Sequence, residues 1–396
     1  MSIAGIIAEY NPFHTGHAYQ IDQTRALLGR DCGIVVVMSG NWTQQAGCAV
    51  ADKWTRSQLA LAGGADLVLE LPTVWAVSSA ESFAWGGISL LHACGVVEVL
   101  SFGSEDGDVD SLAQVARCLD SAAYPEALGR FLGQGLSFPA ARQASVQELL
   151  GGQAQLLAHP NNNLGIEYLR SLNALNSPIR PATVLRKGAA HNALTEGAPF
   201  LSATQLRRYL AEGQRNKAEP FLPANTLSLL PDPMPSLAHL DRAMVARVRT
   251  MTAQDWSELP DSGAAEGLPQ RLERAGQSCA CMEEFYSLSK TKRYTHARLR
   301  RLALWAFLGL RAADRPANPP YLRVLGFRGR GQEILKEMKK KASLPILTKP
   351  AHVRELDEQA QRLFELECRC TDLYTLCLDP AGPASLEWTM NPVRLL

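Results

Sequence analysis

Two histidines three residues apart, His14 and His17, stand just behind the N-terminal run "IAGIIAEYNPF". Ile3–Ala8 has the make-up of a short strand buried on both faces, and the chain leaves it through Asn11, Pro12 and Phe13. The histidines then fall on one face of a helix that is just starting. Unpaired N–H groups and the positive end of the helix dipole gather there. Gly16, between the two, lets a ligand or backbone come close. Imidazole donors at a helix start suit phosphate chemistry, where they stabilise charge growing on a departing pyrophosphate without acting as nucleophiles. The competing reading is a pair of capping or core histidines. Placement directly after the first strand favours chemistry.

The elements that must position this pair alternate between strand and helix. "GIVVVMS" (33–39), "ADLVLEL" (65–71), "VVEVLSF" (96–102) and "ATVLR" (182–186) repeat the short apolar pattern of Ile3–Ala8. Helical patterns such as "HAYQIDQTRALLG" and "DKWTRSQLALAGG" lie between them. This order predicts an α/β fold with a doubly wound parallel sheet, whose ligands bind beyond the carboxyl ends of the strands. A Pro-rich stretch, residues 220–237, reads as a connector, and the chain beyond it is mostly of helical period. The expected division is 1–215 for the nucleotide-binding unit and 216–396 for a mostly α-helical one.

Bulk composition narrows the function classes. A chain of 396 residues with net charge +1, 46% hydrophobic and 20% charged, reads as an ordinary globular protein of more than one domain. No apolar run reaches membrane-spanning length and no secretory leader is evident, so the expected location is the cytoplasm. Nine scattered cysteines, two pairs of them spaced C-x-C, read as reduced thiols rather than a metal centre.

"GIIAEYNPFHTGH" resembles the opening of the bacterial tRNA(Met) cytidine acetate ligases, within the H-x-G-H nucleotidyltransferase superfamily. "VMSGNWTQ" (37–44), "ADKWTR" (51–56), "GADLVLELP" (64–72), "SFGSE" (101–105), "PNNNLGIEYL" (160–169), "SATQLR" (202–207) and "KTKRYTHARLRR" (290–301) extend the resemblance over most of the chain. It implies a ligase that joins acetate and ATP into acetyl-adenylate and then acetylates N4 of the wobble cytidine of elongator tRNA(Met). ATP is thus an implied substrate, with Mg²⁺ on its phosphates. Asp52, Asp66 and Glu105 are carboxylates whose spacing assigns no metal site.

Carried over residue by residue, the resemblance implies an ATP site along Ile7, Ala8, Glu9, Tyr10, Asn11, Pro12, Phe13, His14, Thr15, Gly16, His17, Ala18, Tyr19 and Gln20. Gly103 would admit the adenosine, and Asn162, Arg186 and Lys187 would contact the nucleotide. Alone, "PNNNLG" would be a helix cap. Lys53 and Arg56 share a helical face and would neutralise phosphate or the acetate carboxylate; a solvated face is the alternative. Ser202, Thr204 and Arg207 sit at a helix start suited to gripping phosphate. One departure stands out. Where the family reads Arg-Gly-Glu-Pro after a Gln, this chain has Gln45, Ala46, Gly47 and Cys48 after Gln44.

For the nucleic acid, Lys290, Lys292, Arg293, Arg298, Arg300 and Arg301 crowd into twelve residues, with Tyr294 expected to stack on an unpaired base. A second basic run, "KEMKKK" (336–341), follows the Gly-rich "LGFRGRGQ" (325–332). Two other readings stay open: a small-molecule nucleotidyltransferase, and a catalytically weakened tRNA-binding protein of the same fold.

Overall fold

The computed structural model describes residues 1–186, 200–263 and 266–395. Five strands, β1 (Ile3–Ala8), β2 (Gly33–Ser39), β3 (Leu67–Leu71), β4 (Val99–Ser104) and β5 (Arg180–Leu185), run parallel in the order β5-β4-β1-β2-β3. Their side chains alternate between two cores, as the period of two requires. Ile3, Ile7, Val35, Val37, Leu67 and Leu69 enter one core with the helices Ala80–Ala93, Val109–Leu119 and Pro160–Ala174. Ala4, Ile6, Ile34, Val36, Met38 and Val68 enter the other, which takes Ile21 of α1 (Thr15–Leu28) and Leu59–Leu61 of α2 (Lys53–Ala62). Helices cover both faces, as the strand–helix alternation predicts.

The sheet does not end with the first half of the chain. β6 (Leu322–Arg328) pairs antiparallel with β3, and β7 (Ile346–Leu347) and β8 (Val393–Leu395) both pair parallel with β6. Among the described residues the sheet thus has eight strands, shared between the two stretches that the sequence reading separates at residue 215. The remainder of the second stretch is helical as expected: Asp241–Thr250, Leu268–Ser278, Met282–Ser289, His296–Leu308 and Glu358–Thr375 join the first core.

Two of the three glycines of "LGFRGRGQ", Gly326 and Gly331, serve this joint. A Cβ on Gly331 would lie 2.0 Å from the Asp66 carbonyl oxygen, and one on Gly326 would lie 2.5 Å from Ser57 Oγ. Asp66 is fully buried and gathers three donors: Arg25 at 3.0 Å, Arg328 at 2.7 Å and the Ile34 N–H at 2.8 Å. One carboxylate therefore ties α1, β2 and β6 to β3. The lysines of "KEMKKK" occupy the exposed end of the helix Gly329–Lys341, where cations complement the dipole. Lys341 lies against Gly95, just before the amino-terminal end of β4 and so at the end of the strands opposite the cleft.

Lys53 and Arg56 do not face a ligand; both are fully buried. Lys53 Nζ donates to Glu70 at 2.5 Å and also pairs with Glu387, while Arg323 stands 3.7 Å from Glu387. Glu367 lies beside this group and accepts from the Thr73 N–H and hydroxyl. The three carboxylates outweigh the loss of solvation and hold the Lys53 ammonium well above its usual range. Arg56 donates to the carbonyls of Glu9, Ser39, Gly40 and Ala51. The solvated helix face proposed as the alternative is equally excluded. Both cations are internal ties.

Removing one partner of such a group strands the others without countercharge. Lys53→Ala is expected to lower stability by about 3–5 kcal/mol. Urea unfolding followed by circular dichroism measures this, and a midpoint equal to wild type would show the group to be energetically idle.

Candidate active site

A cleft of about 890 Å³ opens beyond the carboxyl ends of the parallel strands. β1 lies between β4 and β2, so the chain winds off in opposite directions on either side of it. That is the switch point where doubly wound sheets place their ligands. Residues following four of the strands line the cleft: Glu9–Asn11 and the histidines after β1, Thr43–Cys48 after β2, Glu105 after β4 and Arg186 after β5. Leu201–Thr204 and Arg207 close one side, and Leu237, Tyr286 and Arg300 come from the helical part.

His14 and His17 cap their own helix. His14 is the N-cap of α1, and its Nδ1 accepts the Gly16 N–H at 3.0 Å. His17 Nδ1 accepts the His14 N–H at 3.2 Å, completing a reciprocal capping box with imidazoles in place of the usual hydroxyl and carboxylate. Gly16 is required locally, because a Cβ there would lie 2.8 Å from the His14 ring. The rings lie tilted against each other with centroids 3.9 Å apart, and His17 also packs on Tyr10 at 4.7 Å and Phe13 at 5.5 Å. Phe13 is wedged against Gly63, where a Cβ would lie 2.1 Å from the ring.

This cap fixes both protonation and tautomer. Burial, helped by Arg186 and Arg207, lowers His14 to about 3, and burial with His14 and Arg186 holds His17 well below its ordinary range. Both rings are neutral at neutral pH. With Nδ1 occupied as an acceptor, the ring proton of each resides on Nε2. The pair thus supplies two N–H donors to the cleft, not two cations. The capping and the chemical readings of the sequence hold together here: the cap orients the donors.

Charge is supplied by arginines. Arg207 NH1 donates to the Asn11 carbonyl at 2.9 Å and NH2 to Thr204 Oγ1 at 3.0 Å, so it is braced on both the β1 loop and its own helix. Ser202 caps that helix, accepting the Gln205 N–H. Arg186 reaches the cleft from the end of β5 and packs on Gly103. Glu9 is held by the Gln44 N–H at 2.6 Å; burial pushes its carboxyl up while that bond, Arg207 and Arg56 pull it back.

Of the expected nucleotide residues, Ile7 to Asn11, His14, Gly16, His17, Tyr19, Gln20, Gly103, Arg186, Ser202, Thr204 and Arg207 line the cleft. Pro12 and Phe13 are buried behind it, and Thr15 and Ala18 are not among its lining. Asn162 is also behind the wall. Its Oδ1 accepts the N–H groups of Glu105 and Asp106, while Glu105 in turn accepts from Asn161 and Asn162. It therefore shapes the β4 loop and does not line the cleft. Lys187 lies outside the described residues. Tyr168, Asn161 and Phe200, not anticipated, line the cleft as well, Phe200 packing on Tyr19 at 5.3 Å. The signal for Asn161 and Asn162 was the Asn run behind Pro160, which caps a neighbouring loop instead of its own helix.

Gln45 also faces the cleft, in a loop where Ala46 adopts φ 59°. Asp52 caps α2, Asp66 is spent on its arginines, and Glu105 on the asparagines. Among the described residues no group of three or more His, Cys, Asp or Glu could hold a metal ion, and none of the helices is long and apolar enough to cross a membrane. All nine cysteines are free thiols, most of them buried.

The basic run is less uniform than its sequence. Tyr294 is buried, its hydroxyl donating to the Glu266 carbonyl at 2.8 Å, so it does not stack on a base. It precedes the N-cap Thr295 and shares the core with Leu299, the arrangement of a hydrophobic staple. Lys290 is turned inward to the carbonyls of Thr291 and Tyr294. Arg298 is engaged by Asp261 and Glu266. Lys292, Arg293 and Arg300 are exposed, and Arg301 is half-buried.

The doubly wound sheet, the switch-point cleft and the His14/His17 donors define a nucleotide-binding α/β protein of the H-x-G-H class. Residues 1–386 match the family described as HIGH Nucleotidyl Transferase, and the chain belongs to that family. It is 35% identical to a protein named tRNA(Met) cytidine acetate ligase from Thermoanaerobacter sp. (strain X514), with all of both chains covered. Proteins of the same name from Caldanaerobacter subterraneus subsp. tengcongensis and Clostridium novyi are 37% and 39% identical, again over the whole of both chains. Two crystal structures of Thermotoga maritima TmcAL superpose over the full length of both chains: the apo form I at TM-score 0.92 and 31% identity, and form II bound with alpha-thio ATP at 0.90 and 30%.

Neutral, buried histidines carry a pH signature. Their folded pKa values lie below the unfolded value, so unfolding takes up protons as pH falls. Stability is expected to decline as pH falls below about 6.5, for His14 down toward pH 3 and by up to roughly 1.4 kcal/mol per pH unit, with His17 acting in the same direction. Long-range ¹H–¹⁵N spectra at pH 6 should show both rings neutral with the proton on Nε2. A cationic ring, or a proton on Nδ1, would contradict the cap.

Proposed function

We propose that this protein is an ATP-dependent tRNA(Met) cytidine acetate ligase. The observation that carries the reading is the reciprocal His14/His17 cap, which aims two neutral N–H donors into a cleft bordered by Arg186 and Arg207. The full-length likeness to proteins bearing that name supports it, and the likeness to a structure bound with an ATP analogue supports the nucleotide assignment.

In the first half-reaction an acetate oxygen attacks the α-phosphorus of ATP, and the bond to the bridging oxygen of the β-phosphate breaks. Negative charge grows on the departing pyrophosphate. The Nε2–H donors of His14 and His17 and the guanidiniums of Arg186 and Arg207 stabilise it there, and no covalent enzyme intermediate is needed. In the second half-reaction the N4 amine of the wobble cytidine of elongator tRNA(Met) attacks the acetyl carbonyl. AMP leaves and the amine loses a proton. Mg²⁺ would lessen the phosphate charge. The two acidic side chains lining the described cleft, Glu9 and Glu105, are already engaged, so the ion would ride on the nucleotide. Gln45, where the resemblance expects arginine, contributes an amide in place of a cation; Arg186 and Arg207 supply the charge.

The test uses radiolabelled acetate, ATP and elongator tRNA(Met), with nucleoside analysis of the product. N4-acetylcytidine formed only with ATP present is the expected result. Adenylyl transfer to a small phosphorylated acceptor, or tRNA binding without ATP turnover, would overturn the reading. His14→Ala and His17→Ala are each expected to slow acetate-dependent ATP–pyrophosphate exchange by about 10²–10³-fold. Unchanged exchange would remove the histidines from the mechanism.

A further inference from the structure

One cluster of arginines on the shoulder of the cleft is not used by the chemistry above. Arg301, on the helix His296–Leu308, is half-buried and makes no hydrogen bond or ion pair among the described residues. Arg315, also half-buried, makes one bond, from NH1 to Ser78 Oγ at 3.0 Å. The loop carrying Arg315 is fastened to the helix Ala80–Ala93 by Trp85, whose Nε1 donates to the Ala317 carbonyl at 2.7 Å. Asp261 is the carboxylate that faces both guanidiniums, and Glu81 also faces Arg315. Arg298 adds a third positive charge beside Arg301, and it takes up Glu266 at 3.3 Å. Glu81 is largely exposed and shared with Arg170. Burial depresses both Arg301 and Arg315, so the protein bears a desolvation cost that its own acids do not offset.

Position suggests what offsets it. Arg300, the next residue along the helix, lines the cleft, and so does Ala80, two residues beyond the Ser78 that braces Arg315. The two guanidiniums, Arg301 unpaired and Arg315 with donors to spare beyond Ser78, therefore sit at the rim of the site, on the side built by the helical part. A planar guanidinium with unspent donors matches the paired oxygens of a phosphodiester. A nucleic acid whose acceptor base enters the cleft must lay its backbone across that rim.

We propose that Arg301 and Arg315 together form a phosphate-binding site that holds the RNA backbone next to the acceptor nucleotide. The proposal rests on the reading of the cleft as a tRNA-acetylating site. It assigns backbone anchoring to this pair in preference to the denser lysines at the end of the Gly329–Lys341 helix, which reaches the amino-terminal end of β4, opposite the cleft.

Binding of an anticodon stem-loop RNA of elongator tRNA(Met) across a KCl series tests it. Arg301→Ala and Arg315→Ala should each weaken affinity about tenfold and reduce the slope of log K against log salt by roughly one. Lys339→Ala/Lys340→Ala should leave both unchanged. Stem-loops carrying one methylphosphonate linkage locate the contact: a neutral linkage beside the acceptor cytidine should weaken wild-type binding and have no further effect on the variants. Wild-type affinity and slope in both alanine variants would overturn the proposal. ATP binding serves as the folding check. If an alanine variant fails it, Arg301→Lys and Arg315→Lys decide, with retained slope but weakened affinity supporting the site and wild-type affinity sinking it. Acetylation by wild type with variants indistinguishable from it would defeat this inference alone. A wild-type protein that neither binds nor acetylates the RNA would defeat the functional reading itself.

Discussion

The geometry of the cleft depends on one buried guanidinium. Arg56 gives its donors to the carbonyls of Glu9, Ser39, Gly40 and Ala51, the groups at which the chain leaves β1 and β2 and approaches α2. Left bare in the interior, carbonyls carry the penalty of an unmade hydrogen bond. Collecting them on one cation pulls the two loops that carry the functional side chains into a fixed spacing. The histidine cap starts five residues beyond Glu9, and the Gln44–Cys48 wall starts four beyond Gly40. A lysine at this position could not serve four acceptors with a planar fork.

Above that clamp, polarity is graded. The floor of the cleft is made of neutral imidazoles held by their own backbone, whereas its arginines come from the β5 end and from the helix at Ala203–Ala211. Neutral donors in the floor avoid the cost of burying two like charges side by side. They also interact most strongly with charge that develops during bond cleavage, since their dipoles are set beforehand. In the proposed reaction the cations would bring the nucleotide in, and the donors would act on its departing part.

The sequence made the positions of the strands, the face of the histidines and the floor of the cleft legible, because each is a local pattern: apolar runs, a spacing of three, a glycine where a ring must pass. It misled where a residue type has two uses that only tertiary packing separates. Lys53 and Arg56 had the spacing of a ligand-facing pair, yet their partners Glu387 and the β1 and β2 carbonyls are distant or invisible in the pattern. Asn162 read as a nucleotide contact through resemblance and turned out to tie down Glu105. The burial of Tyr294, by contrast, is local. An aromatic ring directly before a threonine N-cap, with Leu299 four residues past that cap, is a staple readable from local sequence. The membership of β6 in the sheet was hidden by distance, since its partner β3 precedes it by roughly 250 residues of mainly helical chain.

That last pairing bears on how the protein is made. When the ribosome has delivered residues 1–215, β3 still presents an open, apolar edge, and Lys53 lacks Glu367 and Glu387. The histidine cap, the clamp at Arg56 and the switch point are already encoded in what has emerged, but the layer beneath them is incomplete. Its completion waits for β6, and the countercharge for Glu387, nine residues before Leu396. A nascent chain can thus hold the parts of its nucleotide site long before it can hold them still, and premature termination before Glu387 removes part of the first half's support.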